Sequence, residues 1–418
     1  MSVPVYITGA GIVSAIGVGK VETLKSLLDG RGGISALQYL KTEHKEFPVG
    51  EVKLSNGQMA EMLGIPCNAV MTRTSLMGML AVREALDETG VVLDVTADDR
   101  AWGAVSGGRV AFVSGTTVGG MDMSEQFYMN FVKDDSKNEY IAVHDCGACS
   151  EMIADFFGGF GCVTTLSTAC SSAANAIIFA AELIKSGKAD IVVAGGCECL
   201  TKFHLNGFNS LMILDKKPCR PFDETRAGLN LGEGAAYIVL ESMESANARG
   251  KSPIALLGGM GNACDAFHQT ASSPNGDGAY LSMSKALNDA GLQPQEIDYI
   301  NAHGTGTPNN DASESTAMKR LFGEDLPPVS STKSFTGHTT SASGAIETVI
   351  CLLAMQNSFI PANLNWKEQM QDGIIPVKET LLNRRLRSVL CNSFGFGGND
   401  SSLVFMAFGE HGSKESDE

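Results

Sequence analysis

The sequence predicts an α/β fold built from two similar halves. Short apolar runs rich in Val and Ile alternate with helical patterns along the chain, as buried strands and the helices that cover them do. Glycine supplies 47 of the 418 residues, roughly 11%, against an average of about 7%. The glycines cluster where predicted strands end, and there they permit tight turns and a close approach of the backbone to a ligand.

The elements follow one another in a regular order. The predicted strands are Val3–Thr8, Ala111–Ser114, Val163–Leu166, Ile191–Ala194 and Ala235–Glu241. The predicted helices are Glu22–Leu28, Ser75–Thr89, Cys170–Ser186 and Ser282–Ala290. The stretch from Gly120 to Glu151 is less regular, and we expect an insertion that caps a pocket or forms an oligomer interface.

The pattern also repeats once. The opening Val5–Gly11 resembles Ile254–Gly261, about 250 residues later. In each half a helix follows a strand, and each half ends in a Gly-rich stretch that we interpret as a hairpin; these stretches are Leu231–Leu240 and Phe394–Phe405. We therefore predict two halves, 1–252 and 253–418, with a site at their junction. Chance similarity between Gly-rich α/β units is the alternative.

Composition excludes several classes of function. The formal net charge of −16 argues against non-specific binding to nucleic acid or anionic membranes. Eleven scattered cysteines argue against a disulfide framework and favour a reducing cytoplasm. No stretch approaches 18 uninterrupted apolar residues, so we expect no membrane span, and Met1–Gly9 lacks the features of a secretory signal.

Cys170 is the first candidate for chemistry. It lies where a predicted strand ends in small residues and a predicted helix begins. Positive partial charge and free N–H groups at a helix start favour a thiolate and stabilise an oxyanion. A cysteine without such a context is more often an inert core residue.

Two further segments carry basic groups. His303 follows the apolar stretch Ile297–Ile300 and precedes a Gly-Thr-Gly-Thr run. Lys333 and His338 are separated by a short stretch that ends in Gly337, and Glu347 follows on a predicted helix where it can orient Lys333. Taken singly, each of these residues is more often structural.

A fourth segment, Asn392–Gly398, places glycines around two aromatic side chains. Such a backbone can move, so Phe394 is a candidate swinging door over a pocket. The alternative is an ordinary hairpin.

Together, in this order and spacing, the four segments resemble the elongating type of β-ketoacyl-[acyl-carrier-protein] synthase, of the thiolase-fold superfamily. The resemblance covers nearly the whole chain, including Cys219–Asp223 and Asp265–His268. It implies a five-layer αβαβα fold of two related halves. It also implies decarboxylative Claisen condensation of a Cys170-bound acyl group with a malonyl group on acyl carrier protein.

The resemblance assigns roles residue by residue. His303 and His338 promote decarboxylation and stabilise the enolate, while Lys333 sets the electrostatics around them. The backbone N–H groups of Cys170 and Phe394 are the expected oxyanion hole. The pantetheine arm is expected to bind Thr305 and Thr307, and the acyl pocket and its gate to contain Val118, Phe208, Phe394 and Phe396. No cofactor and no metal are expected.

The chain departs from the family pattern at two places. Asn399 and Asp400 follow Gly398 where Thr-Asn is common, and the helix after the nucleophile runs Ser171–Asn175 where a Ser-Gly is frequent. Neither departure removes a catalytic group. Both leave the acyl specificity open and point towards a specialised pathway rather than bulk fatty acid synthesis.

The expected partners are acyl carrier protein and a second copy of the chain. Because the carrier is acidic, docking requires a local basic patch; the candidates are Arg73, Lys133, Lys202, Lys216 and Lys217. A homodimer is expected to pair a strand within residues 103–121 across a two-fold axis. Within the pocket, Val118 is predicted to limit how far the acyl chain passes Cys170.

Other functions were weighed. A dinucleotide fingerprint starting at Gly9 fails because Ser14 occupies its third glycine position. His144, Cys146 and Cys149 have zinc-like spacing but no evident fourth ligand. A non-catalytic chain-length partner of a ketosynthase would lack the nucleophile. A thiolase or a priming-type synthase is a further alternative, and the priming type would carry Cys-His-Asn.

Overall fold

A computed structural model describes residues 3–66, 68–91, 93 and 109–409. Its strands are β1 (Val5–Ser14), β2 (Gly17–Val18), β3 (Val110–Gly115), β4 (Cys162–Leu166), β5 (Ile191–Glu198), β6 (Gly234–Glu241), β7 (Ala255–Cys264), β8 (Tyr299–Asn301), β9 (Val329–Ser330), β10 (Phe359–Ile360), β11 (Leu381–Leu382), β12 (Ser388–Gly395) and β13 (Asn399–Ala407).

The helices are α1 (Lys20–Leu28), α2 (Asn56–Leu63), α3 (Arg73–Thr89), α4 (Met121–Asp134), α5 (Cys146–Phe157), α6 (Ser172–Lys185), α7 (Lys202–Ser210), α8 (Met243–Ala248), α9 (Asp277–Ala290), α10 (Pro308–Phe322), α11 (Lys333–Thr336) and α12 (Ser343–Asn357). Short 3₁₀ turns occupy Asn138–Tyr140, Pro294–Glu296, Thr340–Ala342 and Phe396–Gly398. In the part of the chain that the structure describes, no helix is both long and apolar enough to cross a bilayer.

The main sheet has the same plan on both sides of its centre. From one edge the strand order is β4-β3-β5-β6-β1, and from the other edge it is β9-β8-β12-β13-β7. On each side the outer two pairs are parallel and the inner two are antiparallel. The two sides join where β1 pairs antiparallel with β7. This symmetry supports two related halves, and the residue at which they divide stays a prediction.

Alternate side chains of the strands divide into separate cores. In β6, Ala236 and Ile238 face the central core with α6 and α12, whereas Tyr237 and Val239 face an outer core with α3. The other half does the same in β13, whose side chains alternate between the central core and an outer core with α9 and α10. This two-residue period gives the five-layer αβαβα, thiolase-like fold that was expected.

The nine predicted elements all overlap observed ones, but two details were wrong. The stretch from Gly120 to Glu151 is largely helical, containing α4 and the start of α5. Residues 231–240 form no hairpin, because β6 is reached from β5 through a long connection that contains α7. In the second half the hairpin is real, since β12 pairs directly with β13.

The strand expected to pair across a dimer, within residues 103–121, is tested only in part. Residues 103–108 lie outside the described residues, and the described strand that follows them, β3, is hydrogen-bonded on both sides, to β4 and β5. The edge of this half is β4, which has one neighbour among the described strands.

The contact between α6 and α12 gives a test of the fold. A Cβ atom added at Gly344 would lie 2.8 Å from the backbone nitrogen of Ala174 and 2.9 Å from its Cβ. We expect Gly344→Val to lower the free energy of unfolding by at least about 1–3 kcal/mol, the usual cost of overpacking. Gly147→Val in α5 is the matched control, because a Cβ there meets no atom within 4 Å. Equal losses in denaturant unfolding would contradict this account of the helix crossing.

Candidate active site

Cys170 lies in a tight turn between β4 and α6. Ala169, just before it, has a φ of +52°, and the N–H of Thr168 donates to Ser172 Oγ at 2.8 Å. The helix begins at Ser172, two residues later than the sequence predicted. The turn leaves Cys170 buried, with 5% of its surface exposed, at the junction of the two halves.

Two histidines from the second half line the same cavity as this thiol, and one of them contacts it directly. His338 Nε2 lies 3.1 Å from Cys170 Sγ, and its Nδ1 lies 3.0 Å from Ser343 Oγ at the start of α12. His303 follows β8, and its ring centre is 5.3 Å from that of His338, with the ring planes at 85°. The structure therefore brings together the cysteine and both histidines that the sequence singled out.

Lys333 fixes the proton arrangement of His303. Its Nζ lies 3.2 Å from His303 Nδ1 and bonds Glu347, and both charged side chains are buried. An ammonium group can only donate, so Nδ1 accepts and the ring proton of neutral His303 resides on Nε2. Burial and the Lys333 charge hold the pKa of His303 well below its usual range, and the pKa of His338 is lowered for the same two reasons. Burial raises the pKa of Glu347 to about 7, against the opposing effect of Lys333.

Glu314 supports the site and was missed from sequence. Located on α10, it accepts the N–H of His303 at 2.8 Å and that of Gly304 at 2.7 Å. Burial raises the pKa of Glu314 to about 7. Glu314 lies 11 residues after His303, and nothing in the sequence singles it out. Its role is recognisable only once the fold is known.

The two aromatic residues of the glycine loop have different surroundings from those expected. The backbone N–H that bonds the Cys170 thiol belongs to Phe396, not to Phe394. Phe394 ends β12, is buried, and packs its ring 5.8 Å from that of His303. Phe396 stacks on Phe208 at 5.8 Å and is followed by Gly397, whose φ of +80° suits glycine.

The surroundings of Cys170 favour the protonated thiol. Burial raises its pKa to about 11, and the Lys333 charge and the Phe396 N–H only partly offset that effect. From sequence, the position of Cys170 near a helix start was expected to lower its pKa and favour the thiolate. Burial away from water raises the pKa by more than such an effect lowers it.

A cavity of about 330 Å³ opens onto the thiol. Its apolar lining includes Phe208, Ile213 and Leu229, and its polar lining includes Thr305 and Thr307, whose hydroxyls lie 2.9 Å apart. Val118 is absent from this lining. It is buried in the outer core beside α3, and its predicted influence on chain length stays a prediction.

One of the five basic residues proposed to dock the carrier protein cannot do so. Arg73 is buried and bonds Glu233, with a closest contact of 2.6 Å, so it cannot meet a docked protein. Lys133, Lys202, Lys216 and Lys217 are exposed. Lys216 and Lys217 follow Ile213, which lines the cavity, by three and four residues.

The zinc-like spacing has another explanation. His144 Nδ1 bonds Ser124 Oγ at 2.8 Å, and Cys149 lies in the outer core with its sulfur 4.0 Å from that of Cys197. Over the described ranges, no three His, Cys, Asp or Glu side chains group as metal ligands do.

Cys170 contacts His338, His303 lies beside His338, and Lys333 bonds His303, all at the junction of two related halves. This arrangement defines a thiol-dependent condensing enzyme of the thiolase fold. The profile of the beta-ketoacyl synthase N-terminal domain matches residues 2–246, and that of the C-terminal domain matches residues 254–367. The chain belongs to the beta-ketoacyl synthase family, whose 3-oxoacyl synthases are acyltransferases.

Relatives of several kinds are similar over the full length. Nodulation protein E of Rhizobium meliloti (strain 1021) and 3-oxoacyl-[acyl-carrier-protein] synthase 1 of Haemophilus influenzae are each 33% identical, over 96% of this chain and 98% of theirs. A solved structure described as the ishigamide ketosynthase/chain length factor is 31% identical with a TM-score of 0.87, covering 98% of this chain and 100% of that one. This similarity establishes the family and leaves the product open.

The state of the thiol can be measured by alkylation. A raised pKa means that the thiolate forms only at higher pH, so iodoacetamide labelling of Cys170 should keep rising above pH 9, beyond the pKa of about 8.5 of a free cysteine. Mass spectrometry would follow the Cys170 peptide, with the guanidine-unfolded protein as control. A plateau near neutral pH would instead show a thiolate–imidazolium pair.

Proposed function

We propose that this chain is a 3-oxoacyl-[acyl-carrier-protein] synthase that condenses a Cys170-bound acyl group with malonyl carrier protein. The observation that carries the proposal is the 3.1 Å contact between Cys170 Sγ and His338 Nε2, with His303 beside it and the Phe396 N–H on the thiol. This set offers a nucleophile, a proton acceptor, and several donors aimed at one small volume.

In the first half of the reaction Cys170 takes the acyl group. Its sulfur attacks the acyl thioester while His338 Nε2 accepts the thiol proton, a bond forms between Sγ and the acyl carbon, and the bond to the pantetheine sulfur breaks. The departing pantetheine thiolate takes a proton from water, and His338 keeps the thiol proton on Nε2 until Cys170 regains it at the end of the second half. The N–H groups of Cys170 and Phe396 stabilise the oxyanion, and Phe396 thus replaces Phe394 in the role expected from sequence.

In the second half a malonyl group loses carbon dioxide. The enolate oxygen that develops accepts from His303 Nε2–H and from His338, because Lys333 holds Nδ1 of His303 as an acceptor. The enolate carbon then attacks the acyl carbonyl, a carbon–carbon bond forms, and the Cys170 sulfur leaves and regains a proton. The products are carbon dioxide and the 3-oxoacyl carrier protein.

The cavity suits a pantetheine arm at its polar side and an acyl chain at its apolar side. Thr305 and Thr307 offer hydroxyls to the arm. We assign the gate to Phe396, because its ring stacks on Phe208 and its chain neighbours are Gly395 and Gly397. The ring of Phe394 instead packs against His303. Carrier protein is the proposed partner, with Lys202, Lys216 and Lys217 as the nearest exposed cations.

The pathway and the acyl chain are finer questions. The names of the relatives support both fatty acid synthesis and specialised polyketide or polyene synthesis. The presence of Cys170 and both histidines favours a catalytic subunit over a non-catalytic chain-length partner. Ten described cysteines, all free, support a reducing cytoplasm. Incubation with malonyl carrier protein and a panel of carrier proteins loaded with different acyl groups, followed by mass spectrometry, would identify the acyl chain that the enzyme extends.

A homodimer is also proposed, now through β4. This edge strand exposes 37% of Val163, and the two helices that pack against it, α5 and α6, expose Phe156 and Phe179 by 38% each. Pairing of two β4 strands would cover the open edge. We expect a dimer by light scattering at micromolar concentration and a monomer for Val163→Pro, because proline removes a ladder donor. A monomeric wild type would refute the proposal.

Substitution of the nucleophile tests the mechanism. Cys170→Ala should lower condensation at least about 1,000-fold, because no acyl thioester can form. Cys170→Gln should still release carbon dioxide from malonyl carrier protein, since both histidines remain. Wild-type protein incubated with acyl carrier protein should show one acyl adduct, on Cys170. An adduct on Cys162, Cys197 or Cys199 would overturn the assignment.

A further inference from the structure

The two segments that depart from the family pattern meet in space. Asn175 lies one turn into the nucleophile helix α6, and Asn399 follows the glycine loop that carries Phe396. Asn175 Nδ2 donates to Asn399 Oδ1 at 2.8 Å. Residues 224 positions apart are thus direct partners.

The side chain of Asn175 uses its full hydrogen-bonding capacity. Its amide group donates to Asn399 Oδ1 and, at 2.9 Å, to Thr168 Oγ1. Its carbonyl oxygen accepts from Asn262 Nδ2 at 3.0 Å and from Ser401 Oγ at 2.8 Å. An amide has two donors and two acceptor sites, so this set fixes its orientation completely.

These bonds join the glycine loop to the turn that holds the thiol. Thr168 belongs to the turn before Cys170, and Ser171, just after Cys170, also donates to Asn399 Oδ1, at 3.0 Å. At the other end of the loop, a Cβ at Gly395 would lie 3.0 Å from the Thr168 carbonyl oxygen. The loop therefore rests on the turn at both ends, and Phe396 lies between these two contacts.

We propose that Asn175 is a positioning residue that holds the Phe396 N–H in register with that of Cys170. The inference rests on the proposed condensation, in which these two N–H groups form the oxyanion hole. Oxyanion donors act only at the correct distance from the developing charge. Three of the four residues Gly395–Gly398 are glycine, so this loop needs an attachment to keep the Phe396 amide in place. The Asn175–Asn399 contact supplies one.

The test compares two reactions of the same sulfur in the full-length protein. In Asn175→Ala, the rate of acyl transfer to Cys170 from acyl carrier protein should fall about 10- to 100-fold, less than the roughly 100- to 1,000-fold loss of a whole oxyanion donor. The fall should lie in kcat rather than in KM. Alkylation of Cys170 by iodoacetamide needs no oxyanion hole and should change less than about threefold.

Further variants separate positioning from general stability. Asn399→Ala should lose at least as much, because Asn399 Oδ1 also accepts from Ser171 and Asn262. The double variant should be no slower than Asn399→Ala alone, since both changes remove the Asn175–Asn399 bond. Asn399→Thr, which keeps a hydroxyl acceptor, should retain more activity than Asn399→Ala. Asn357→Ala is the matched control: its exposed side chain bonds the carbonyl of Leu353 at the far end of α12, and acyl transfer should stay within about twofold of wild type.

The outcomes are distinct. Unchanged acyl transfer in Asn175→Ala would overturn the inference, as would parallel losses of acyl transfer, alkylation and thermal stability, which indicate a purely structural role. If wild-type protein formed no acyl adduct at all, the proposed function would fail instead.

Discussion

Helices α6 and α12 approach each other so closely at Ala174 and Gly344 that no further side chain fits between them. Both helices lie between the two halves of the sheet, and the side chains of α12 are almost entirely buried. Because each half of the sheet must cover one face of this helix pair, the start of one helix is brought to the start of the other. Cys170 precedes α6, and His338 bonds Ser343, the first residue of α12. The catalytic contact between the halves is therefore a consequence of core packing.

The same burial sets the electrostatics. Lys333 and Glu347 are almost fully enclosed, and such a pair is retained only when each charge has partners. Lys333 bonds both Glu347 and His303, so the charge that stabilises the pair also fixes the tautomer of the histidine. Glu314 adds a second acid that accepts the backbone N–H groups of His303 and Gly304. The site is thus held by buried charges on three sides, while the imidazoles themselves stay neutral.

Sequence reasoning identified what depends on local pattern. Apolar runs and glycine positions located the strands and helices, and the motif spacing brought Cys170, His303, Lys333 and His338 to notice. It failed where long-range contacts decide. Arg73 looked like a surface cation, but its pairing with Glu233, 160 residues away, is invisible in the sequence. The different positions of Phe394 and Phe396 could not be told apart from sequence for a similar reason. Both residues lie next to glycines, and only the register of β12 with β13 decides which of them ends a strand and which lies beside the thiol.

A neutral thiol next to neutral imidazoles also bears on how the reaction is ordered. Burial raises the pKa of the Cys170 thiol and so disfavours the reactive thiolate in the absence of substrate. An acyl thioester changes this only when its carbonyl oxygen reaches the N–H groups of Cys170 and Phe396, because charge can then move from sulfur to a stabilised oxyanion as His338 takes the proton. The amide of Phe396 belongs to the loop that also carries the gate. Under the proposed mechanism, movement of the Phe396 gate would therefore also move a donor of the oxyanion hole, which couples closure of the pocket to the first chemical step.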